Sequence, residues 1–402
     1  MKKILLFIIL LLPIKVIALT YPELHYENII IYDLTDKTTL YEFNSNEKKS
    51  IASLTKLMTI ITAIEKIDDS TKEIVYTKEM ANNVAWYASV AGFKVGETYK
   101  VEDFLYGAML PSGADATVAL AYTASGDIDS FIKDMNQLAD KIGMKNSNFV
   151  NVHGLDEDNH YSTAEDLKLL LEYALQNETF KKVYTTKEYT MSNDKKLQST
   201  VLKQGNKYNL DTTKILGSKT GFTANAGLCI SVLMKDENHE IIIITMGAPS
   251  NENIPYNVTD ALELISFVEE NNNYETIITK GIYTNKLKVE LSNINNYDIS
   301  STKEISLYLP KDYNKEDIKI NYNGISKLSY KNTKQEKLGI ISYYYKDKLL
   351  DTENVYLNTK IKPSYKKIIT KYKDKIIIII ISIIVILLTP FIIIISKNKT
   401  HK

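Results

Sequence analysis

The sequence predicts an α/β sandwich, with a sheet covered by helices, then a small all-β domain and an apolar terminal helix. Three observations carry this expectation. The first part of the chain mixes hairpin-type strands with helical periods. From about Tyr274 the apolar residues alternate, and no helical period returns before the end. Residues 376–395 are then apolar apart from Ser382, Thr389 and Pro390, and they carry no charge. A chain of 402 residues accommodates two folded domains at roughly 100–200 residues each.

The chain opens on Met1-Lys2-Lys3 and an apolar run from Ile4 to Ile14, followed by Lys15 and Val16-Ile17-Ala18. A basic start, a short apolar stretch and small residues describe a secretory signal over residues 1–18. Val16 and Ala18 fit a V-x-A cleavage site, so the mature chain would begin near Leu19. A retained anchor is the alternative.

Ile29-Ile30-Ile31-Tyr32, a turn at Asp33 to Lys37, and Thr39-Leu40-Tyr41 read as strand, turn and strand. Ser53 to Ile67 is a helix, because Leu54, Leu57, Met58, Ile61 and Ile64 recur at helical spacing. Val101 to Leu110 is a second helix, stopped at Pro111, and Ala116 to Ala124 a third. Thr163 to Ala174 begins with a capping-type Ser162/Thr163 ahead of Glu165-Asp166. Leu228 to Val232 and Ile241 to Met246 are continuous apolar runs, expected as buried strands. Val258 to Val268 closes the domain as a helix. Beyond it, Leu287, Val289 and Leu291 alternate with polar residues, as do Ile305, Leu307 and Leu309, then Ile318, Ile320 and Tyr322. Asn323-Gly324 reads as a two-residue hairpin turn. Leu338 to Tyr345 and Val355 to Leu357 add strands, consistent with a sandwich.

Residues 376–395 reach about 30 Å at ~1.5 Å per residue, the thickness of a hydrocarbon core, so a transmembrane helix is expected there. With an exported body, residues 396–402 form a cytoplasmic tail. The expected location is the cell membrane, single-pass, with the body on the outer side. The outer flank nevertheless holds Lys366, Lys367, Lys371, Lys373 and Lys375, which the positive-inside rule alone would place inside. The signal acts first and takes precedence. Those lysines are suited to anionic headgroups.

Lys and Arg total 49, Asp and Glu total 49, and every cation is Lys. A bidentate guanidinium clamp is therefore excluded, and zero net charge gives no global attraction for nucleic acid. One cysteine, Cys229, excludes an internal disulfide and a cysteine-based zinc site. The five histidines show no HExxH spacing.

Three motifs carry chemistry. In Ser53-Leu54-Thr55-Lys56, a helix opening at Ser53 sets Ser53 and Lys56 one turn apart on one face. A serine is a poor nucleophile until a base takes its proton. A lysine depressed by burial and nearby positive charge is such a base. Alone, the motif is weak, because Ser and Lys are common, and it reads more readily as a surface serine cap. Pro111-Ser112-Gly113-Ala114-Asp115 puts a serine on a loop between two helices, where an N-cap is the plain alternative. Gly217-Ser218-Lys219-Thr220-Gly221-Phe222 precedes a strand; spacing excludes a Walker A loop. Strand alternation puts Lys219 and Gly221 on one face and Thr220 on the other. His153 and His160 invite a Ser-His-Asp triad, but the G-x-S-x-G elbow is absent. Histidines beside Asn148 and Asn151 are expected to satisfy backbone groups instead.

S-x-x-K, a loop Ser-Gly motif and K-T-G, in that order, are the signature of penicillin-recognising serine enzymes. The chain resembles the low-molecular-mass D-alanyl-D-alanine carboxypeptidases, serine peptidases that are penicillin-binding proteins. Ile51-Ala-Ser-Leu-Thr-Lys-Leu-Met-Thr59, Leu110-Pro-Ser-Gly-Ala-Asp-Ala116, Asn148-Phe-Val-Asn-Val-His-Gly-Leu155, His160-Tyr-Ser-Thr-Ala164 and Lys219-Thr-Gly-Phe-Thr-Ala-Asn-Ala-Gly227 all look like that family. The resemblance covers residues 25–268. It implies a serine β-lactamase/transpeptidase-like α/β (α+β) catalytic domain over 19–270. A β-sandwich over 274–358, a lysine-rich stalk over 359–375 and a membrane anchor over 376–395 also match its architecture.

The resemblance further implies that Ser53 attacks the carbonyl between two terminal D-Ala residues and that Lys56 accepts its proton. Ser112 would relay a proton to the leaving amine, and Lys219, Thr220 and Gly221 would bind the substrate, Lys219 and Thr220 at its carboxylate. The main-chain N–H groups of Ser53 and Phe222 would form the oxyanion hole. Water would release the shortened stem peptide of peptidoglycan, and β-lactams would stall at the acyl stage. It implies no metal or organic cofactor, and a role in cell wall biogenesis and cell shape. A DD-endopeptidase, a β-lactamase and a non-catalytic penicillin-binding scaffold are the alternatives. Two departures stand out. Ala114 replaces the usual Asn of the second motif, at ~1–3 kcal/mol if a buried partner goes unsatisfied, or roughly 5- to 150-fold in rate. Relatives often place an Arg after Gly247-Ala248-Pro249-Ser250, where this chain has Asn251-Glu252-Asn253.

Overall fold

The computed structural model describes residues 24–399; the expected signal segment lies outside them. The chain divides into two compact units. One ends at Asn273 and also takes in Tyr308–Asp312; the other holds Tyr274–Leu307 and the chain from Tyr313.

The first unit is built on one five-stranded antiparallel sheet. Its strands run, edge to edge, Thr38–Phe43, Asn28–Asp33, His239–Ala248, Gly227–Asp236 and Gly217–Thr223. Strand residues alternate between faces, and here both faces are covered. Ile30, Ile242 and Ile244 enter one apolar cluster, while Ile29, Ile31, Ile241 and Ile243 enter the other. This double cover is why those segments are apolar at every position. Helix Tyr256–Asn271 seals the second face with Val258, Ala261, Leu264, Ile265 and Val268.

The other cluster takes in buried residues of helices Thr55–Lys66, Val101–Met109, Ala114–Ser125, Ile128–Ile142 and Ala164–Ala174. The expected helices are present with small changes at their ends. Thr163 caps the last of them by accepting from Asp166 N at 3.0 Å. The helix expected from Ser53 begins instead at Thr55, behind a 3-10 turn at Ala52–Leu54, and no side chain caps it. Ile128–Ile142 was not expected. Asp127 caps it, and Phe131, Met135, Leu138 and Ala139 form its buried stripe.

In the second unit a three-stranded sheet of Asn296–Ser300, Thr284–Glu290 and Lys327–Ser329 accompanies a second of Ile318–Gly324, Lys337–Tyr345 and Lys348–Tyr356. Leu287, Val289, Ile299, Leu328, Leu338, Leu357 and Ile361 form its core. The hairpin turn expected at Asn323-Gly324 is not there. Both residues lie inside a strand, Asn323 opposite Ile340 and Gly324 opposite Gly339. The glycine serves close approach instead. A Cβ on Gly324 would fall 2.4 Å from both Leu338 O and the Tyr322 hydroxyl.

Within the expected stalk, Tyr365–Lys371 is helical, and Lys373–Lys399 forms the last helix. Among the described residues no helix is long and apolar enough to cross a membrane. Ile377 to Ile381 and Ile383 to Leu388 are exposed. The fold alone therefore does not establish the expected transmembrane helix.

Candidate active site

Ser53 lies on the 3-10 turn ahead of helix Thr55–Lys66. Its neighbour Ala52 is left-handed, with φ 46°, a conformation that costs a non-glycine residue about 1–3 kcal/mol. Lys56 is 2% exposed. Its Nζ lies 2.9 Å from Ser53 Oγ and donates to the His153 carbonyl at 2.5 Å. Burial pushes the Lys56 ammonium down to about 7, against the opposing pull of Asp115. Near neutral pH an appreciable fraction is therefore free amine, beside a hydroxyl whose proton it can take.

Ser112 sits in the turn between helices Val101–Met109 and Ala114–Ser125, also left-handed, with φ 62°. The turn is tightly held. Gly113 N donates to Gly107 O at 2.9 Å, and Ala114 N to Ser89 O at 2.7 Å. The buried Asp115 carboxylate accepts from Ala91, Gly92 and Phe93 N at 2.8, 2.7 and 3.2 Å. A Cβ on Gly113 would lie 2.6 Å from Asp115 Oδ1 and 2.7 Å from Ala91 N. Ser112 is not the N-cap; Gly113 holds that place, with no side-chain bond. The Ser112 hydroxyl instead accepts from Lys219 Nζ at 2.9 Å.

Lys219 comes from the edge strand Gly217–Thr223 and is 1% exposed. Its Nζ also donates to Thr220 O at 2.7 Å. Burial, with the charge of Lys56 behind it, depresses its pKa strongly. A Cβ on Gly221 would lie 2.9 Å from Ser53 N and 3.0 Å from the Ala52 Cβ. Glycine thus lets this strand edge close on the main chain of the serine. Phe222, next along, is half exposed. The Thr220 hydroxyl lies 2.5 Å from Thr200 Oγ1.

The structure therefore joins Ser53 to Lys56 and Ser112 to Lys219, and sets the Lys219 strand against Ser53. Sequence reasoning missed the His153 carbonyl, Asp115 and Thr200. Gly154 is the signal that could have exposed the first. Its φ is +84°, and a Cβ there would sit 1.9 Å from Ala52 O, so only glycine lets this loop reach Lys56. His153 Nδ1 accepts from Leu155 N at 3.3 Å, and His160 Nδ1 from Val150 N at 3.2 Å. Both rings serve the backbone as expected, and burial lowers both to about 4. Among the described residues one group, Asp33, Asp36 and His239, has metal-ligand geometry. It is closed on itself, with His239 Nδ1 2.7 Å from Asp33 Oδ2 and Tyr308 N donating to Asp36 Oδ2 at 2.8 Å.

This arrangement can be set beside known proteins. A family model described as D-alanyl-D-alanine carboxypeptidase, peptidase S11, matches residues 15–250. The chain is 30% identical over 310 residues to the D-alanyl-D-alanine carboxypeptidase DacF of Bacillus subtilis, covering 75% of this chain and 77% of that protein. It is 31% identical over 247 residues to DacA of Escherichia coli, covering 59% of each. Penicillin binding protein 5 of Haemophilus influenzae superposes with a TM-score of 0.62 at 23% identity, over 86% of this chain and all of that one; at that identity the likeness speaks for the fold. The Streptomyces K15 DD-transpeptidase gives 0.55 at 26% identity, over 62% of this chain and 98% of that one. The motifs, the paired Ser–Lys contacts and the family match agree: the chain belongs to the peptidase S11 family, the D-alanyl-D-alanine carboxypeptidases.

Proposed function

We propose that the protein removes the terminal D-Ala from peptidoglycan stem peptides ending in D-Ala-D-Ala, and that β-lactams acylate the same serine. The carrying observation is the buried Lys56 Nζ, 2.9 Å from Ser53 Oγ, with its pKa lowered to about 7. Neutral Lys56 takes the Ser53 proton as Oγ bonds to the carbonyl carbon between the two D-Ala residues. The negative charge developing on the carbonyl oxygen is met by the main-chain N–H groups of Ser53 and Phe222. The C–N bond breaks as the proton that Lys56 took passes by way of Ser112 to the leaving nitrogen, so D-Ala departs as an amine and Lys56 is neutral again. Water, losing a proton to Lys56, hydrolyses the acyl-enzyme and restores Ser53. Lys219 and Thr220 take the substrate carboxylate, with Gly221 keeping the strand close.

Ala114 leaves no side-chain amide to hold Lys56. The His153 carbonyl is an acceptor for that task at 2.5 Å, which supports turnover despite the missing Asn. We place the catalytic unit on the outer side of the cell membrane, behind a cleaved signal at 1–18 and anchored through 376–395. The exposed isoleucines along the last helix support the anchor, since water is a poor solvent for such a surface.

The test is release of D-Ala from a synthetic pentapeptide ending in D-Ala-D-Ala, with Ser53→Ala and Lys219→Ala in parallel. Release is expected from the native protein alone. Release that survives Ser53→Ala refutes the nucleophile, and near-native release by Lys219→Ala refutes its role. Hydrolysis of cross-linked muropeptides without D-Ala release would favour an endopeptidase.

A further inference from the structure

Behind Ser53 runs a buried line of contacts that the steps above do not use. His160 is 4% exposed. Its Nδ1 lies 3.2 Å from Val150 N, and its Nε2 lies 2.7 Å from Thr55 Oγ1. A main-chain N–H can only donate, so Nδ1 accepts. A neutral imidazole has one donor and one acceptor, so Nε2 carries the proton and donates it to Thr55 Oγ1. The Thr55 hydroxyl is then free to donate its own proton, and Ala52 O accepts it at 2.8 Å.

The direction of every bond in this chain is thus set by a backbone amide, and it ends on the residue before the nucleophile. Ala52 is left-handed there, with φ 46°, and such a conformation persists only where its surroundings over-determine it. Thr55 holds the Ala52 carbonyl on one side, and Gly154 crowds it so closely that a Cβ would meet it at 1.9 Å. Each hydrogen bond polarises the next. Burial keeps His160 neutral, with the charge of Lys56 adding to it and Asp156 opposing.

We propose that His160 is a positioning residue for the serine nucleophile. The relay from Val150 N–H through His160 and Thr55 to the Ala52 carbonyl holds the left-handed turn and so aims Ser53 Oγ at Lys56. This rests on Ser53 being the nucleophile. It makes His160 more than a histidine that satisfies one loop amide, because its second nitrogen acts on the catalytic turn.

Two substitutions separate those roles. His160→Asn keeps an acceptor near Nδ1 for Val150 N but loses the donor to Thr55. His160→Gln reaches the Nε2 position and keeps that donor. The readout is the acylation rate of the full-length, detergent-solubilised protein by a fluorescent penicillin, alongside its non-covalent affinity and melting temperature. His160→Gln is expected to acylate close to the native rate. His160→Asn and Thr55→Val are each expected to lose roughly tenfold with unchanged penicillin affinity, and the double variant to be no slower than either. Equal rates for Asn and Gln, additive losses in the double variant, or losses that simply track melting temperature overturn the proposal. Nitrogen-15 NMR of the histidines reads the relay without any turnover: Nε2 is expected protonated and Nδ1 bare, and a protonated Nδ1 overturns it. Native protein that takes no label at Ser53 overturns the nucleophile itself, and the positioning role with it, whatever the tautomer.

Discussion

Lys56 and Lys219 are both lysines in a buried site, yet their partners give them different work. Lys56 has Ser53 Oγ and the His153 carbonyl, Lys219 has Ser112 Oγ and the Thr220 carbonyl. A lysine pushed down to about 7 by burial accepts a proton above that value and is blocked below it. Acylation by penicillin is therefore expected to level off above pH 7 and to fall roughly tenfold per pH unit well below it. A rate flat from pH 5 to 8 would exclude Lys56 as the base. The residue types for this chemistry were legible as S-x-x-K, Ser-Gly and K-T-G. The acceptor that holds Lys56 was not, because a main-chain carbonyl has no letter in the sequence; His153 is named for its ring, and its oxygen does the holding.

The elements that build the site were mostly legible, through periodicity. The doubly covered strands read as unbroken apolar runs, and the helix at Thr55–Lys66 as a 3.6-residue stripe. The helix Ile128–Ile142 was equally available in Phe131, Met135, Leu138 and Ala139 and was overlooked. Glycines carried the ambiguity. Asn323-Gly324 has the residues of a turn but lies in a strand, because what Gly324 supplies is space against Gly339 and Tyr322. Gly154 combines both demands, a φ of +84° and contact with Ala52 O. Gly154→Ala is expected to lower acylation by roughly 30- to 150-fold, since Ala52 must move and about 2–3 kcal/mol is a factor of that order. Gly126→Ala is the control. It has the same φ of +84° but open space around it, so it should cost only about 1 kcal/mol of stability and leave acylation intact. Equal activity losses in the two variants would show backbone strain, not the Ala52 contact, to be the cause.

At the scale of the molecule, the chain leaves the first unit at Asn273 and contributes Tyr308–Asp312 to it again. Tyr308 stacks on His239 at 4.7 Å between centroids, and its hydroxyl bonds Asp236. Nothing in the alternation around Ile305, Leu307 and Leu309 announced that return. At the far end, removal of residues 376–402 is expected to move the protein from the membrane pellet to the soluble fraction with penicillin labelling unchanged. A truncated protein that still pellets would refute the anchor. What the sequence by itself determined was the chemistry and the layering, because nucleophile, base and apolar period are local properties written in neighbouring residues. What only the tertiary structure decided was how those residues meet: the His153 carbonyl on Lys56, Asp115 on the Ala91–Phe93 amides, His160 through Thr55 on Ala52. Each of these joins groups far apart in sequence, with main-chain atoms at one end, and their distances exist only once the chain has packed.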